Sequence, residues 1–284
     1  MLFRSAITHT SGGFTLNTNV TTSNATGYTF TAGTLSLGTY TLTTPIFSSS
    51  NSNTRTLNFG TGKIVLNGTV TATIWNTAIS TGALTVTGTP LVECIGGGTG
   101  VTKTINTATS ETIAISFSLL ETSGTVTYSF AAPCGFKNLI INGSQTISAW
   151  AGAVTIYGNF THLTTNGTTT FAANTNAWVF GATSGSYNIT NIAGFTYDWP
   201  WTFGSAASTA TWTLQNNLTL GATRALTFTN GTLDWNNKTL TGASGITMVT
   251  GSFTISNTGG TTFNANALAI THTSGTLTLN TNVT

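Results

Sequence analysis

Charge is almost missing from this 284-residue sequence. Asp, Glu, Lys and Arg together make up 4%, against about 25% in an average soluble domain. So little charge suits a disordered chain or a membrane span, and the sequence argues against both. Disordered segments are poor in aromatics, whereas this chain has 16 Phe, 7 Trp and 6 Tyr. A spanning helix needs about 20 consecutive apolar residues, and no such run occurs. The basic residues, Arg4, Arg55, Lys63, Lys103, Lys137, Arg224 and Lys238, never cluster. That excludes a phosphate-binding surface, so no nucleic-acid partner and no membrane insertion are expected. Cysteine is nearly absent. Cys94 and Cys134 are too few for a disulfide framework and read either as one bridge or as two buried thiols. The first ten residues carry one Arg and no apolar core, so no secretory signal is read there.

What is present in quantity is threonine, about a quarter of the chain, with Val, Ile, Leu and aromatics. These residues suit a pleated, half-buried surface. Period-2 alternation runs through Thr69-Val70-Thr71-Ala72-Thr73-Ile74, Leu84-Thr85-Val86-Thr87, Val154-Thr155-Ile156 and Trp212-Thr213-Leu214-Gln215. Lys63-Ile64-Val65-Leu66-Asn67 is a continuous apolar run, as in a strand covered on both faces. Asn67-Gly68, Asn142-Gly143, Asn166-Gly167 and Asn230-Gly231 mark tight turns. No helical stripe exceeds two turns.

Repeats set the architecture. Residues 7–21 recur as residues 270–284, differing at Gly13/Thr276 and Phe14/Leu277. Residues 14–35 lie without a gap over residues 212–233, both ending in Thr-Phe-Thr-x-Gly-Thr-Leu. Weaker copies begin at Leu84 and Val154. The starts near 14, 84, 154, 212 and 277 are 70, 70, 58 and 65 residues apart. That period suits about three coils of roughly 20 residues each. A single coil cannot bury its own apolar face. Stacked coils align like residues into ladders, apolar inside, Thr and Asn outside. The expected fold is therefore an all-β parallel β-helix spanning residues 1–284, right-handed by the usual crossover rule. The alternative is a tandem β-sandwich array, for which the period is short.

Several stretches resemble a known repeat type: Gly33-Thr34-Leu35-Ser36-Leu37-Gly38-Thr39-Tyr40-Thr41-Leu42, Thr73-Ile74-Trp75-Asn76-Thr77, Ile156-Tyr157-Gly158-Asn159 and Asn230-Gly231-Thr232-Leu233-Asp234-Trp235. Similar segments, in this order, occur in large Thr/Asn/Gly-rich repeat proteins of tailed bacteriophages from marine and other aquatic samples. The resemblance covers most of residues 14–240. It implies a virion-associated or tail-fibre-like β-helical protein, sometimes joined to lectin-like domains, and it transfers no functional residue.

Chemistry is sparse. The acids are Glu93, Glu111, Glu121, Asp198 and Asp234. Paired-carboxylate hydrolysis needs two within about 10 Å, and these read as isolated turn or surface acids. His9, His162 and His272 show no ligand spacing with either cysteine, so no metal or cofactor is expected. Gly96-Gly97-Gly98-Thr99-Gly100 lacks the Lys-Ser/Thr ending of a phosphate loop and reads as a flexible turn. One aromatic cluster, residues 195–203, suits a ligand. If exposed, Tyr197, Trp199 and Trp201 would stack on sugar faces with Asp198 meeting hydroxyls; otherwise alternate rings fill the core and Pro200 marks a corner. The leading expectation is a non-enzymatic structural shaft on a virion or cell surface, self-associating as a homotrimer or end-to-end filament and joined to other appendage proteins. An adhesin for a host-surface glycan is the second reading, a polysaccharide lyase or hydrolase the third.

Overall fold

The computed structural model describes residues 1–78, 83–131, 133–241, 244–248, 251–260, 262–263 and 270–283. It is a β-solenoid divided into two compact units. One comprises Met1–Ala151 with Thr164–Thr170, the other Gly152–Leu163 with Phe171–Thr284. The strand pairings that stack coil on coil in each unit are parallel. That rules out a sandwich array, whose sheets are antiparallel. The one helical element among the described residues is a 3-10 turn, Glu111–Ile113, so no helix there is long enough to cross a membrane.

In the first unit each coil contributes strands to two or three faces. One face stacks Val20–Thr22, Thr41–Thr44, Lys63–Leu66, Leu91–Cys94 and Ile115–Leu119. A second stacks Tyr28–Phe30, Phe47–Ser48, Ala72–Asn76, Thr99–Asn106 and Thr125–Phe130. The third is four-stranded: Gly13–Thr15, Gly33–Ser36, Arg55–Asn58 and Leu84–Thr87. Register partners lie one coil apart. The step is 19 residues from Leu2 to Thr21 and 30 from Trp75 to Ile105, so the coil is longer and more variable than the roughly 20 residues expected. Three steps, Phe14 to Leu35 to Leu57 to Val86, carry the repeat start at 14 to within two residues of the one at 84. Trp212 pairs with Leu233 in the second unit just as Phe14 pairs with Leu35 in the first. Equivalent places in the two repeat copies thus make equivalent steps along the stack.

Alternation decides what each column holds. Leu42, Ile64, Val92 and Phe117 form one buried column, while Thr21, Thr43, Val65 and Glu93 run beside it on the opposite side of the same strands. Lys63–Leu66 is covered on both sides at Val65, as its apolar run implied. In the second unit Val154, Trp178, Trp201, Leu226 and Ile246 stack as one column, and Ile156, Phe180, Phe203, Phe228 and Met248 as another. Phe180 and Phe203 lie face to face at 4.8 Å, as do Phe228 and Phe253 at 4.2 Å. Each fully buried large apolar side chain contributes about 2–3 kcal/mol by leaving water.

Corners are held by asparagine and glycine. The side-chain oxygens of Asn19, Asn142 and Asn230 accept backbone N–H groups of Thr41, Asn166 and Ser252, each about one coil further on. Asn142-Gly143 and Asn230-Gly231 therefore join coils at corners of a parallel stack and do not make hairpins. Gly60 has φ +56°, and a methyl group there would sit 2.4 Å from Gly38 O of the preceding coil. Close stacking of corner on corner is what requires the glycine.

Candidate functional site

The aromatic cluster is core. Tyr197, Trp199, Trp201 and Phe203 share one parity of a bent, extended stretch and are completely buried. Trp199 packs on Phe171 at 4.7 Å and on Trp178 at 5.1 Å; Trp201 packs on Phe180 at 5.0 Å. Their faces are covered by other rings, so Tyr197, Trp199 and Trp201 offer no platform to a sugar. This corrects the glycan-contact expectation. Asp198 has the opposite parity and reaches the surface, where Arg224 Nε holds it at 2.7 Å.

His162 lies inside the same ring cluster. Tyr197 Oη accepts the Ile192 N–H at 3.0 Å and shares a hydrogen bond of 3.0 Å with His162 Nδ1. Phe171 and Phe195 meet the imidazole edge-on at 5.1 and 5.0 Å. Burial holds this histidine well below its ordinary value, at about 4, and pushes the Tyr197 phenol up.

The isolated surface acids also need correction. Glu93 pairs with Lys63 at 2.7 Å and Asp198 with Arg224, both at least partly exposed. Asp234, nearly buried, accepts the N–H groups of Asn236 and Thr258 at 2.9 and 2.8 Å. Glu121 is fully buried. Its Oε1 meets Lys103 Nζ at 2.6 Å and the Tyr128 hydroxyl at 2.5 Å, and its Oε2 accepts the Gly97 N–H at 2.5 Å. Lys103 and Tyr128 are register partners on adjacent coils of the second face. The glycine-rich stretch read as a flexible turn is thus tied to this carboxylate. Gly143 keeps the next coil close, since a Cβ there would lie 2.3 Å from Glu121 O.

Both cysteines are buried free thiols. Burial pushes Cys134 up to about 12 and Cys94 further still; the charge of Glu121 adds to the effect at Cys94, which also shares a hydrogen bond with Tyr128. Neither is poised as a thiolate nucleophile. Arg55 is the other buried base. Its guanidinium donates to the carbonyls of Asn51, Asn53 and Ser49 at 2.8, 2.5 and 3.2 Å and also to Asn51 Oδ1. It pins an irregular corner from inside, and burial lowers its affinity for the proton. The parity of Arg55-Thr56-Leu57-Asn58-Phe59 and of Lys103-Thr104-Ile105 carried this signal, because each base alternates in step with buried apolar residues.

Two open grooves mark the surface of the first unit. One of about 270 Å³ is lined by Thr21, Ser23, Pro45, Asn67, Thr69 and Val70; one of about 200 Å³ by Thr125, Ser144, Thr146, Thr168 and Thr170. Neither lining holds an acid or a base. Among the described residues no three His, Cys, Asp or Glu side chains gather to hold a metal. No family model, curated protein or solved structure matches this chain.

Proposed function

We propose that this chain is a structural β-solenoid shaft: a stiff spacer in a fibre of a virion or another extracellular appendage, with no catalytic role. One observation carries the reading. The alternating interior is committed to packing, down to the aromatic cluster that looked most suited to a ligand. Glu93, Glu121, Asp198 and Asp234 are tied up one by one with separate bases and backbone donors. Placement on a tailed-phage particle rests on the sequence resemblance alone. Self-association, as trimer or filament, belongs to the same proposal, since stacked coils present strand edges that pair readily.

Cryo-electron microscopy of the native assembly tests it. The expected image is a thin rod with an axial spacing near roughly 4.8 Å, joined to a particle or appendage. A free monomer that releases reducing sugar from a host polysaccharide would overturn the proposal in favour of an enzyme. Saturable binding on a glycan array would move it toward an adhesin.

A further inference from the structure

We infer that Lys103 and Glu121 are the two halves of an intramolecular isopeptide bond, formed by the folded chain without a partner enzyme. The argument starts from donors and acceptors. A lysine ammonium carries three N–H donors. Lys103 Nζ is buried to 1% exposure and meets one acceptor among the described residues, Glu121 Oε1 at 2.6 Å. Its other flank faces the Tyr128 ring, whose centroid lies 5.9 Å away. Two donors of a buried cation are thus left without acceptors, an arrangement that folded proteins avoid. Condensation removes the charge on both groups and leaves one amide N–H in place of three.

The surroundings supply what the reaction needs. Amine and carboxyl are in contact, which makes the attack intramolecular. Both carboxyl oxygens carry a donor: Tyr128 Oη on Oε1 and the Gly97 N–H on Oε2, each at 2.5 Å. Proton transfer from Nζ to Oε1 gives a neutral amine beside a neutral acid. The Nζ lone pair then forms the bond to Cδ, and Oε2 takes the negative charge against the Gly97 N–H. The Cδ–Oε1 bond breaks as Oε1 takes a second proton from Tyr128 and leaves as water. Tyr128 recovers its proton from the new C–N nitrogen. Ammonium and carboxylate become one neutral amide and one water, with no oxidant or cofactor. The link would join residues 18 apart in sequence, tying the second-face strand of one coil to the start of the next.

The test is the intact mass of the purified full chain. It is expected to be lighter by one water than the sequence requires. Tandem mass spectrometry of a digest should find Lys103 and Glu121 in one branched peptide. Lys103→Arg keeps the positive charge, cannot condense in this way, and should show the full mass. Glu121→Gln should lose one ammonia instead of water. Tyr128→Phe keeps the ring and loses the proton relay, so its linked fraction should fall. A folded wild-type chain that keeps its full sequence mass after prolonged warm incubation overturns the inference, whatever the variants do. So does a lost water that maps to any other pair of residues.

Discussion

Acid should loosen the second unit through one imidazole. His162 is buried among Phe171, Phe195 and Tyr197 and titrates near 4 in the fold, against an ordinary 6.5. Its native value is the lower one, so the unfolded chain takes up the proton first. The stability that the neutral ring contributes is complete above pH 6.5. It is lost progressively as pH falls to about 4, and no further below that. Each tenfold difference in proton affinity corresponds to about 1.4 kcal/mol, so the full loss is about 3 kcal/mol. Burial is the cause, and the surroundings offer a charged ring little in return. Tyr197 Oη already accepts the Ile192 N–H and is the one hydrogen-bond partner of Nδ1 among the described residues. A protonated Nδ1 would force the hydroxyl to accept a second donor, and Nε2 has no hydrogen-bond partner among the described residues. Urea unfolding followed by tryptophan fluorescence would measure this, with wild type and His162→Gln compared at pH values above 6.5 and near 4. Subtracting one protein from the other removes the contribution of the carboxylates. The stability difference should shift by about 3 kcal/mol in the stated direction across that window. Parallel pH profiles for the two proteins would refute the reasoning.

Trp201→Ala should cost about 3–5 kcal/mol, measured by chemical denaturation, and leave any glycan-array signal unchanged, because the ring sits in the interior column. Gly60→Ala should cost at least about 1 kcal/mol. Its φ is +56° and the added methyl would press on the Gly38 carbonyl. Gly13→Ala meets nothing within 4 Å and has no positive φ, so a thermal melt should show it neutral or slightly stabilised. Equal losses at both glycines would show that corner stacking is not what demands Gly60.

The stacking architecture was legible in the sequence because a coil writes its length into the spacing of like residues. Laying residues 14–35 over residues 212–233 equated Phe14 with Trp212 and Leu35 with Leu233, and each copy turned out to span one coil step, Phe14 to Leu35 and Trp212 to Leu233. Variation in coil length was harder to see, since steps such as Trp75 to Ile105 pass through corners whose residues obey no period. The interior polar groups were missed for a different reason. Arg55, Lys103 and Glu121 belong to residue types that normally face water, and that habit outweighed the parity that placed both bases inside. The sequence leaves Tyr197, Trp199 and Trp201 between two readings, sugar platform and core, and burial decides for the core. Their amphipathic rings suggested a binding platform, while their alternation with Thr196, Asp198 and Thr202 already put them in the core.

Because the ladders bond each coil to the next, a load that pulls two coils of one unit apart acts on those hydrogen bonds directly. The covalent chain meanwhile winds around the unit like thread on a spool. The coil from Leu42 to Ile64 occupies one rung of the stack, about 4.8 Å of its height. Once torn free, the same 22 residues can stretch to roughly 75 Å. Yielding under tension is therefore quantised. Each lost rung releases a long slack loop that drops the force on the rungs still in place, so such a stack would fail as a series of arrests and not in a single break.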